Sequence, residues 1–230
     1  MQRRLATVVG VIGVVFGMGV SAWQSQAPAG QKPDHMEHRF DDPERYAKEF
    51  DDPARDAWQM PDRVIATLGL KAGQSVADIG AGTGYFSTRL AKSPESPTVY
   101  AVDIEPSMVT YLKSRAAKEG LKNVVPVQAS ADSPHLPAPV DLVLVVDTYH
   151  HISDRVGYFR RLRASLKPAG RLAIIDFRKD APAGPPPEFR FTETQITSEL
   201  AQAGYGLAGS YPFLPHQLFV VYEPKSASQK

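Results

Sequence analysis

The sequence contains no cysteine among its 230 residues. Disulfide bonds, thiolate metal sites and a cysteine nucleophile are therefore excluded. Its six histidines form no H-E-x-x-H pattern, so no metal site is expected. A large excess of positive charge is also missing, because 26 Lys and Arg residues are balanced by 25 Asp and Glu residues, which leaves a formal net charge of +1. Nucleic acid is accordingly not an expected partner.

An apolar run of the ~20 residues that span a bilayer is lacking as well. Residues 5–20 are uncharged and rich in glycine, follow Arg3 and Arg4, and lead into the small residues Ser21 and Ala22. This layout predicts a signal peptide at residues 1–22 and therefore export, to the periplasm or out of the cell. The alternative is an anchor at residues 5–22 that associates the protein with the inner membrane. Residues 23–38 have the polar, proline-bearing composition of a linker.

A short internal repeat follows the linker. Residues 40–45 read FDDPER, and residues 50–55 read FDDPAR. In each copy an Asp can cap a helix that begins at the proline, so the repeat predicts two helix starts. A functional interpretation is that residues 39–60 form a helical lid over a ligand site, with Arg55, Trp58 and Gln59 facing the ligand.

The stretch VADIGAGTGYF, residues 76–86, predicts the centre of the fold. An apolar run typical of a buried parallel strand carries Asp78 and then breaks into Gly80, Gly82 and Gly84. Glycines accept positive φ and let a backbone approach a ligand closely, and a helix that starts at Tyr85 would direct its free N–H groups to that ligand. A dinucleotide site would need a further glycine where the chain has Tyr85.

The pattern acid-x-G-x-G-x-G resembles the first motif of the class I S-adenosylmethionine (SAM)-dependent methyltransferases. In that family the loop accommodates the methionine part of SAM, so the resemblance implies SAM as the cofactor. Asp103 ends the next predicted strand, where a carboxylate can accept hydrogen bonds from both ribose hydroxyls. Asp132 matches the family's adenine-binding Asp before a Leu-Pro pair, although a turn-forming Asp is an alternative. The predicted cofactor-binding residues are Asp78, Gly80, Ala81, Gly82, Gly84, Asp103, Ile104, Asp132 and Asp147.

The run DLVLVVD, residues 141–147, predicts the fourth strand, whose carboxyl end lies at the topological switch point where ligands bind. Asp147 and the residues that follow it should therefore face the transferred methyl group. The pair His150 and His151 resembles the motif of the ubiquinone and menaquinone biosynthesis methyltransferases. One of the two could accept a proton from an acceptor hydroxyl or amine, and the alternative is a structural role for both. The predicted catalytic residues are Tyr149, His150 and His151.

The rest of the chain alternates predicted strands and helices, which indicates an α/β fold. Strands are expected at residues 99–103, 124–127, 172–177, 205–211 and 217–222, and helices at 61–70, 106–118, 155–166 and 192–203. The resemblance implies a Rossmann-like, doubly wound sheet of seven strands with an antiparallel last strand. We predict a methyltransferase domain at residues 61–223 and a disordered tail at 224–230. Arg190, after a proline-rich loop, is either solvated or paired with an anionic substrate group.

Together these motifs predict an enzyme that transfers a methyl group from SAM to a small-molecule or lipophilic acceptor. The acceptor atom can be oxygen, nitrogen or carbon, because such an in-line transfer needs alignment and exclusion of water more than it needs a base. One alternative is a catalytically silent protein that binds SAM or a nucleoside. Another is an NAD-dependent oxidoreductase, which Tyr85 disfavours. The sequence predicts no oligomeric state.

Overall fold

The computed structural model describes residues 40–225. The predicted signal peptide or anchor, the linker, residue 39 of the lid and residues 226–230 of the tail lie outside the described residues. Within residues 40–225 no helix is long and apolar enough to cross a bilayer.

Seven strands form one mixed sheet: β1 (Ser75–Ile79), β2 (Thr98–Asp103), β3 (Val124–Gln128), β4 (Val140–Val146), β5 (Leu166–Phe177), β6 (Tyr205–Ser210) and β7 (Gln217–Pro224). Their order across the sheet is β3-β2-β1-β4-β5-β7-β6. Neighbours from β3 to β5 run parallel, whereas β7 pairs antiparallel with both β5 and β6. The predicted doubly wound sheet of seven strands with an antiparallel last strand is therefore confirmed.

The helices of the described region cover both faces of this sheet. They are α1 (Pro43–Phe50), α2 (Asp56–Gln59), α3 (Pro61–Leu68), α4 (Tyr85–Lys92), α5 (Pro106–Lys118), α6 (Arg155–Leu162) and α7 (Glu193–Gln202). Short 3₁₀ turns occur at Pro53–Arg55, Tyr149–His151, Arg163–Ser165 and Pro187–Phe189.

Strand β4 is apolar along its length because it is covered on both sides. Leu142 and Leu144 pack into the core beneath α3, α4 and α5. Val143 and Val145 point to the other face, where α6 and α7 supply the neighbouring side chains. With both faces filled by packing, the carboxyl edge of the parallel strands is where polar side chains can collect.

The two helix starts predicted from the internal repeat are confirmed. The carboxylate of Asp42 accepts a hydrogen bond from the backbone N–H of Arg45 at 3.1 Å, and α1 begins at Pro43. Asp52 accepts from the N–H of Ala54 at 2.9 Å. The second start is a 3₁₀ turn that continues into α2.

The boundary between α6 and β5 differs from the prediction. The helix ends at Leu162, and β5 begins at Leu166, well before the predicted residue 172. Pro168 and Gly170 suggested a turn, but Leu166 pairs with Val140 and the register shifts only afterwards. A shift in register between β4 and β5 therefore accommodates the segment that the sequence indicated as a turn.

Arg190 takes neither of the two predicted roles. Only 6% of the residue is exposed. Its guanidinium donates hydrogen bonds to the carbonyl oxygens of Pro185 and Ala181, both at 2.7 Å, and of Lys179 at 3.3 Å. Because a buried cation needs such partners, Arg190 fixes the loop that follows β5 instead of meeting solvent or a substrate.

Candidate active site

The glycine loop between β1 and α4 has the backbone that the sequence predicted. Gly80, Gly82 and Gly84 have φ values of 73°, 55° and 95°, which L side chains rarely adopt. A Cβ on Gly80 would lie 2.2 Å from Oγ1 of Thr148, and one on Gly84 would lie 2.8 Å from Cδ2 of Leu112. The loop is therefore built for glycine both by its dihedral angles and by its close neighbours.

Asp103, at the end of β2, lies beside this loop. Its carboxylate accepts hydrogen bonds from the backbone N–H groups of Gly82 at 2.8 Å and Glu105 at 2.9 Å. Burial raises the pKa of Asp103 and outweighs the two N–H groups, which lower it. The next residue, Ile104, is 52% exposed and offers an apolar surface at the same edge. The structure thus brings the predicted cofactor-binding residues of β1 and β2 together.

Asp78 lies beneath the glycine loop and is almost fully buried. Its carboxylate accepts a hydrogen bond at 2.6 Å from the hydroxyl of Ser87, on α4. Loss of hydration raises the pKa of Asp78 to about 6, and the nearby charge of Asp103 contributes to this rise. Asp78 therefore ties the strand before the loop to the helix after it.

Asp147 follows β4 with a left-handed backbone, φ 51°. Its Oδ2 accepts a hydrogen bond from Nη2 of Arg55 at 3.2 Å, and its Oδ1 accepts from Nε2 of Gln217 at 2.5 Å. Loss of hydration raises the pKa of Asp147 to about 7, although the charge of Arg55 opposes this rise. A residue strained in this way at the end of a central strand is typical of a functional position.

His150 forms a buried pair with Asp176, near the end of β5, and only 3% and 2% of the two residues are exposed. Nδ1 of the imidazole lies 2.9 Å and 3.0 Å from the two carboxylate oxygens. Burial lowers the pKa of His150, but the charge and hydrogen bond of Asp176 outweigh it, so this pKa is raised. The ring of His151 lies 4.3 Å from that of His150 and meets Phe40 edge-on at 5.6 Å. The sequence prediction missed Asp176.

Tyr149 lies elsewhere, and its predicted catalytic role is corrected. The residue is fully buried, and its ring stacks on Phe159 at a centroid distance of 5.5 Å. Its hydroxyl donates to Oε2 of Glu199 at 2.5 Å, and Nε of Arg155 donates to the same oxygen at 2.6 Å. Tyr149 therefore anchors the turn after β4 in the core of the domain.

Asp132 is exposed in the loop after β3. Its carboxylate accepts a hydrogen bond from the hydroxyl of Ser130 at 2.6 Å, and its backbone carbonyl accepts one from Arg161 at 3.1 Å. This geometry favours the alternative of a turn-forming Asp, and the predicted adenine contact stays a prediction.

The lid segment, residues 40–60, crosses the glycine loop. The ring of Phe50 would lie 3.4 Å from a Cβ on Gly82, so it covers the loop. Asp51 accepts from Nη1 of Arg115 at 2.8 Å, and the same nitrogen donates to the carbonyl of Thr83 at 2.8 Å. The lid is thus tied to the loop and to α5 together.

Of the three lid residues predicted to face the ligand, Trp58 lies farther along the sheet edge. Its ring contacts Phe177 and His216 at centroid distances of 5.6 Å and 6.1 Å. These residues belong to the side of β5 and β7, away from the glycines. Gln59 is fully buried and donates to Gln217 at 2.6 Å. Phe50, which the sequence prediction did not single out, takes the place beside the loop.

The predicted site residues that the structure places at the carboxyl edge of the sheet are Asp78, Gly80, Ala81, Gly82, Gly84, Asp103, Ile104, Asp147, His150 and His151. Within residues 40–225, no group of three or more His, Asp or Glu side chains could hold a metal ion.

Comparison with known proteins places this arrangement in context. Residues 70–204 match the family model described as a methyltransferase domain. The chain is 34% identical over 122 residues to the 27-O-demethylrifamycin SV methyltransferase of Amycolatopsis mediterranei, covering 52% of this chain and 44% of that protein. It is 33% identical over 119 residues to the ubiquinone/menaquinone biosynthesis C-methyltransferase UbiE of Chromobacterium violaceum, covering 50% and 48%. The chain therefore spans less than half the length of these two relatives.

A solved structure matches over a larger share of both chains. A SAM-dependent methyltransferase from Aquifex aeolicus is 32% identical to this chain and superimposes with a TM-score of 0.72. The match covers 79% of this chain and 97% of that one.

The buried carboxylate of Asp78 generates a stability prediction. Because the pKa of Asp78 is about 6 in the folded protein, against an ordinary 3.8, stability is lost progressively as the pH rises from about 4 to about 6, and the full loss is present above pH 6. Asp78→Asn should therefore raise the free energy of unfolding by about 2–3 kcal/mol at pH 8, with a gain that disappears near pH 4. Urea denaturation at the two pH values measures this difference.

The matched control is Asp180→Asn, because Asp180 is an exposed carboxylate that pairs with Arg178 at the surface. It should show no gain at pH 8. An Asp78→Asn protein that is less stable than the wild type at pH 8 would contradict the prediction.

Proposed function

Because the chain belongs to the SAM-dependent methyltransferase family, we propose that it transfers the methyl group of SAM to a hydroxyl group of a small-molecule acceptor, with His150 as the general base. The pair of His150 and Asp176 carries this proposal. The pair lies at the carboxyl ends of β4 and β5, next to Asp147. Ligands of doubly wound sheets bind at this edge.

The glycine loop and the residues at the end of β2 fit SAM. Asp103 presents a carboxylate at the end of β2 for the ribose hydroxyls of SAM, and Ile104 gives an exposed apolar surface for its adenine ring. The glycines leave room for the methionine part of SAM. SAM, when bound, supplies a methyl group activated by a positively charged sulfonium. The carboxylates of Asp78, Asp103 and Asp147 at this edge suit a cation.

The geometry of His150 suits proton transfer. Nδ1 is engaged by Asp176, so Nε2 is the ring nitrogen left to take a proton. The neutral imidazole would accept the proton of the acceptor hydroxyl, and Asp176 would stabilise the positive charge that forms on the ring. An oxygen nucleophile gains most from such a base, because a neutral hydroxyl attacks carbon poorly.

Two further observations support an apolar small-molecule acceptor with a reacting hydroxyl group. The rings of Trp58, Phe177 and His216 form an aromatic group on the β5 and β7 side of the edge, and aromatic surfaces are common in small-molecule sites. One relative is named as a methyltransferase of 27-O-demethylrifamycin SV, which agrees with an oxygen acceptor.

Cofactor binding is the first test. Asp103→Ala removes a charged acceptor of hydrogen bonds, so the dissociation constant for SAM should rise about 10- to 100-fold, as expected for ~1.5–3 kcal/mol. Isothermal titration calorimetry of the full chain measures the change, and circular dichroism checks the fold. Absence of SAM binding by the wild type would overturn the proposed function.

Asp132→Ala is the matched control for this titration. The exposed, turn-forming geometry of Asp132 predicts SAM affinity close to that of the wild type. Weakened binding would instead restore the adenine contact. Full SAM affinity in Asp103→Ala would remove the ribose assignment.

The His150 pair predicts a pH dependence. A base must be neutral, so methyl transfer should increase as the pH rises through the pKa of His150, which Asp176 holds above its ordinary value. Asp176→Asn should lower this pKa, move the acid limb of the rate profile to lower pH and reduce the rate about 100-fold or more. NMR titration of the imidazole follows the pKa, and transfer of tritiated methyl groups to hydroxylated aromatic compounds follows the rate.

His151→Gln is the control, because His151 lies toward Phe40 and not on Asp176. Its acid limb should coincide with that of the wild type. If the acid limb of the rate profile shifts in His151→Gln but not in Asp176→Asn, the general base is His151.

Export stays a proposal that rests on residues 1–22. Fractionation of cells that express the full chain should recover the protein outside the cytoplasm, and sequencing of its N-terminus should begin directly after Ala22. An intact N-terminus in the membrane fraction would support the anchor of residues 5–22. An intact protein in the cytoplasm would contradict both.

A further inference from the structure

Asp147 and three other side chains form a closed ring of hydrogen bonds. Nε of Arg55 donates to Oε1 of Gln59 at 3.1 Å, and Nε2 of Gln59 donates to Oε1 of Gln217 at 2.6 Å. Nε2 of Gln217 donates to Oδ1 of Asp147 at 2.5 Å, and Nη2 of Arg55 closes the ring on Oδ2 at 3.2 Å. Each amide both donates and accepts, so only one orientation of each satisfies the ring.

The ring joins three parts of the chain that are far apart in sequence. Arg55 and Gln59 belong to the lid segment, Asp147 follows β4, and Gln217 begins β7. Gln59 and Gln217 are 0% and 1% exposed. Buried polar groups are costly when their hydrogen bonds are unmade, so the ring is complete only while the lid segment lies closed on the sheet.

The ring of hydrogen bonds is also connected to the residue that lies over the glycine loop. Nη1 of Arg55 donates to the backbone carbonyl of Phe50 at 3.0 Å, and the ring of Phe50 covers Gly82. Arg55 therefore links the carboxylate of Asp147 to the residue whose ring covers the loop.

The carboxylate of Asp147 depends on the same contacts. Loss of hydration raises its pKa to about 7, and Arg55 is the leading influence that opposes this rise. Asp176 and His150 are the other charged or titratable groups that act on it. The ionised form of Asp147 and the closed lid segment thus stabilise each other.

We propose that Arg55, Gln59, Asp147 and Gln217 form a latch that closes the lid segment over the cofactor side of the site, with Arg55 as the positioning residue for the Asp147 carboxylate. The inference rests on the proposed function, because the latch matters for catalysis only if SAM enters beneath Phe50. Entry and release of SAM then both require the latch to open.

Hydrogen exchange of the full chain without cofactor tests the latch itself. Arg55→Gln and Asp147→Asn should each increase exchange of residues 43–59 about tenfold or more, the effect of losing one charged hydrogen bond. The double variant should exchange no faster than the faster single variant, since both remove the same contact. Arg55→Lys keeps the positive charge but cannot donate to Gln59, Phe50 and Asp147 in the same geometry. Its exchange rate should lie between those of the wild type and Arg55→Gln.

Glu49→Gln is the matched control. Glu49 also belongs to the lid segment, near the end of α1, but the residue is exposed. Exchange should change less than about threefold, because exposed charges contribute little. Unchanged exchange in Arg55→Gln and Asp147→Asn would overturn the latch. A product of the two single effects in the double variant, or equal increases throughout β4 and β7, would also overturn it.

Binding kinetics test the coupling to SAM. In a Trp23→Phe background Trp58, which lies 5.8 Å from the Arg55 guanidinium carbon, is the remaining tryptophan and reports the lid segment in stopped-flow fluorescence. Arg55→Gln should accelerate association and dissociation of SAM by similar factors, about tenfold, because a gate acts on both directions. Faster dissociation with unchanged association would indicate that Arg55 contacts SAM directly, and it would overturn the latch.

The two experiments separate the latch from the proposed function. Wild-type protein that fails to bind SAM overturns the proposed function and the coupling. Hydrogen exchange then still decides whether the ring holds the lid segment.

Discussion

The site depends on how four carboxylates are stabilised. All four are buried or half-buried, and they lie at the carboxyl ends of four neighbouring parallel strands. They are Asp103 on β2, Asp78 on β1, Asp147 after β4 and Asp176 on β5. Like charges in a poorly hydrated place disfavour one another, so each carboxylate needs its own donor. The donors are Ser87, the N–H groups of Gly82 and Glu105, the side chains of Arg55 and Gln217, and His150. The glycine loop, the lid segment and the histidine turn are thereby each fixed by one acid.

The sequence could predict most of these acids, because an apolar run that ends in Asp marks the carboxyl edge of a parallel strand. Asp103 and Asp147 follow this pattern directly. Asp176 also follows this pattern, after Ile174 and Ile175, so the sequence could have predicted it as well. Asp132 does not follow a strand directly, since β3 ends at Gln128, and it lies in an exposed turn. The sheet order came from the family resemblance, because local periodicity carries no information on which strands pair.

The lid segment shows where prediction from the sequence ends. Its helix starts depend on contacts two or three residues apart, and those were predictable from Asp42 and Asp52. Its position on the sheet depends on contacts between distant residues, such as Gln59 with Gln217, and no local sequence pattern predicts these contacts. Trp58 was predicted to face the ligand, but the structure places Phe50 beside the glycine loop.

The turn after β4 explains why three consecutive candidate residues have three different environments. Residues 149–151 form a 3₁₀ turn, in which successive side chains are ~120° apart because one turn takes three residues. Tyr149 enters the core against Phe159, His150 reaches Asp176, and His151 meets Phe40 of the lid segment. The geometry of the turn therefore directs the imidazole of His150, and not the side chain of Tyr149, to the carboxylate of Asp176.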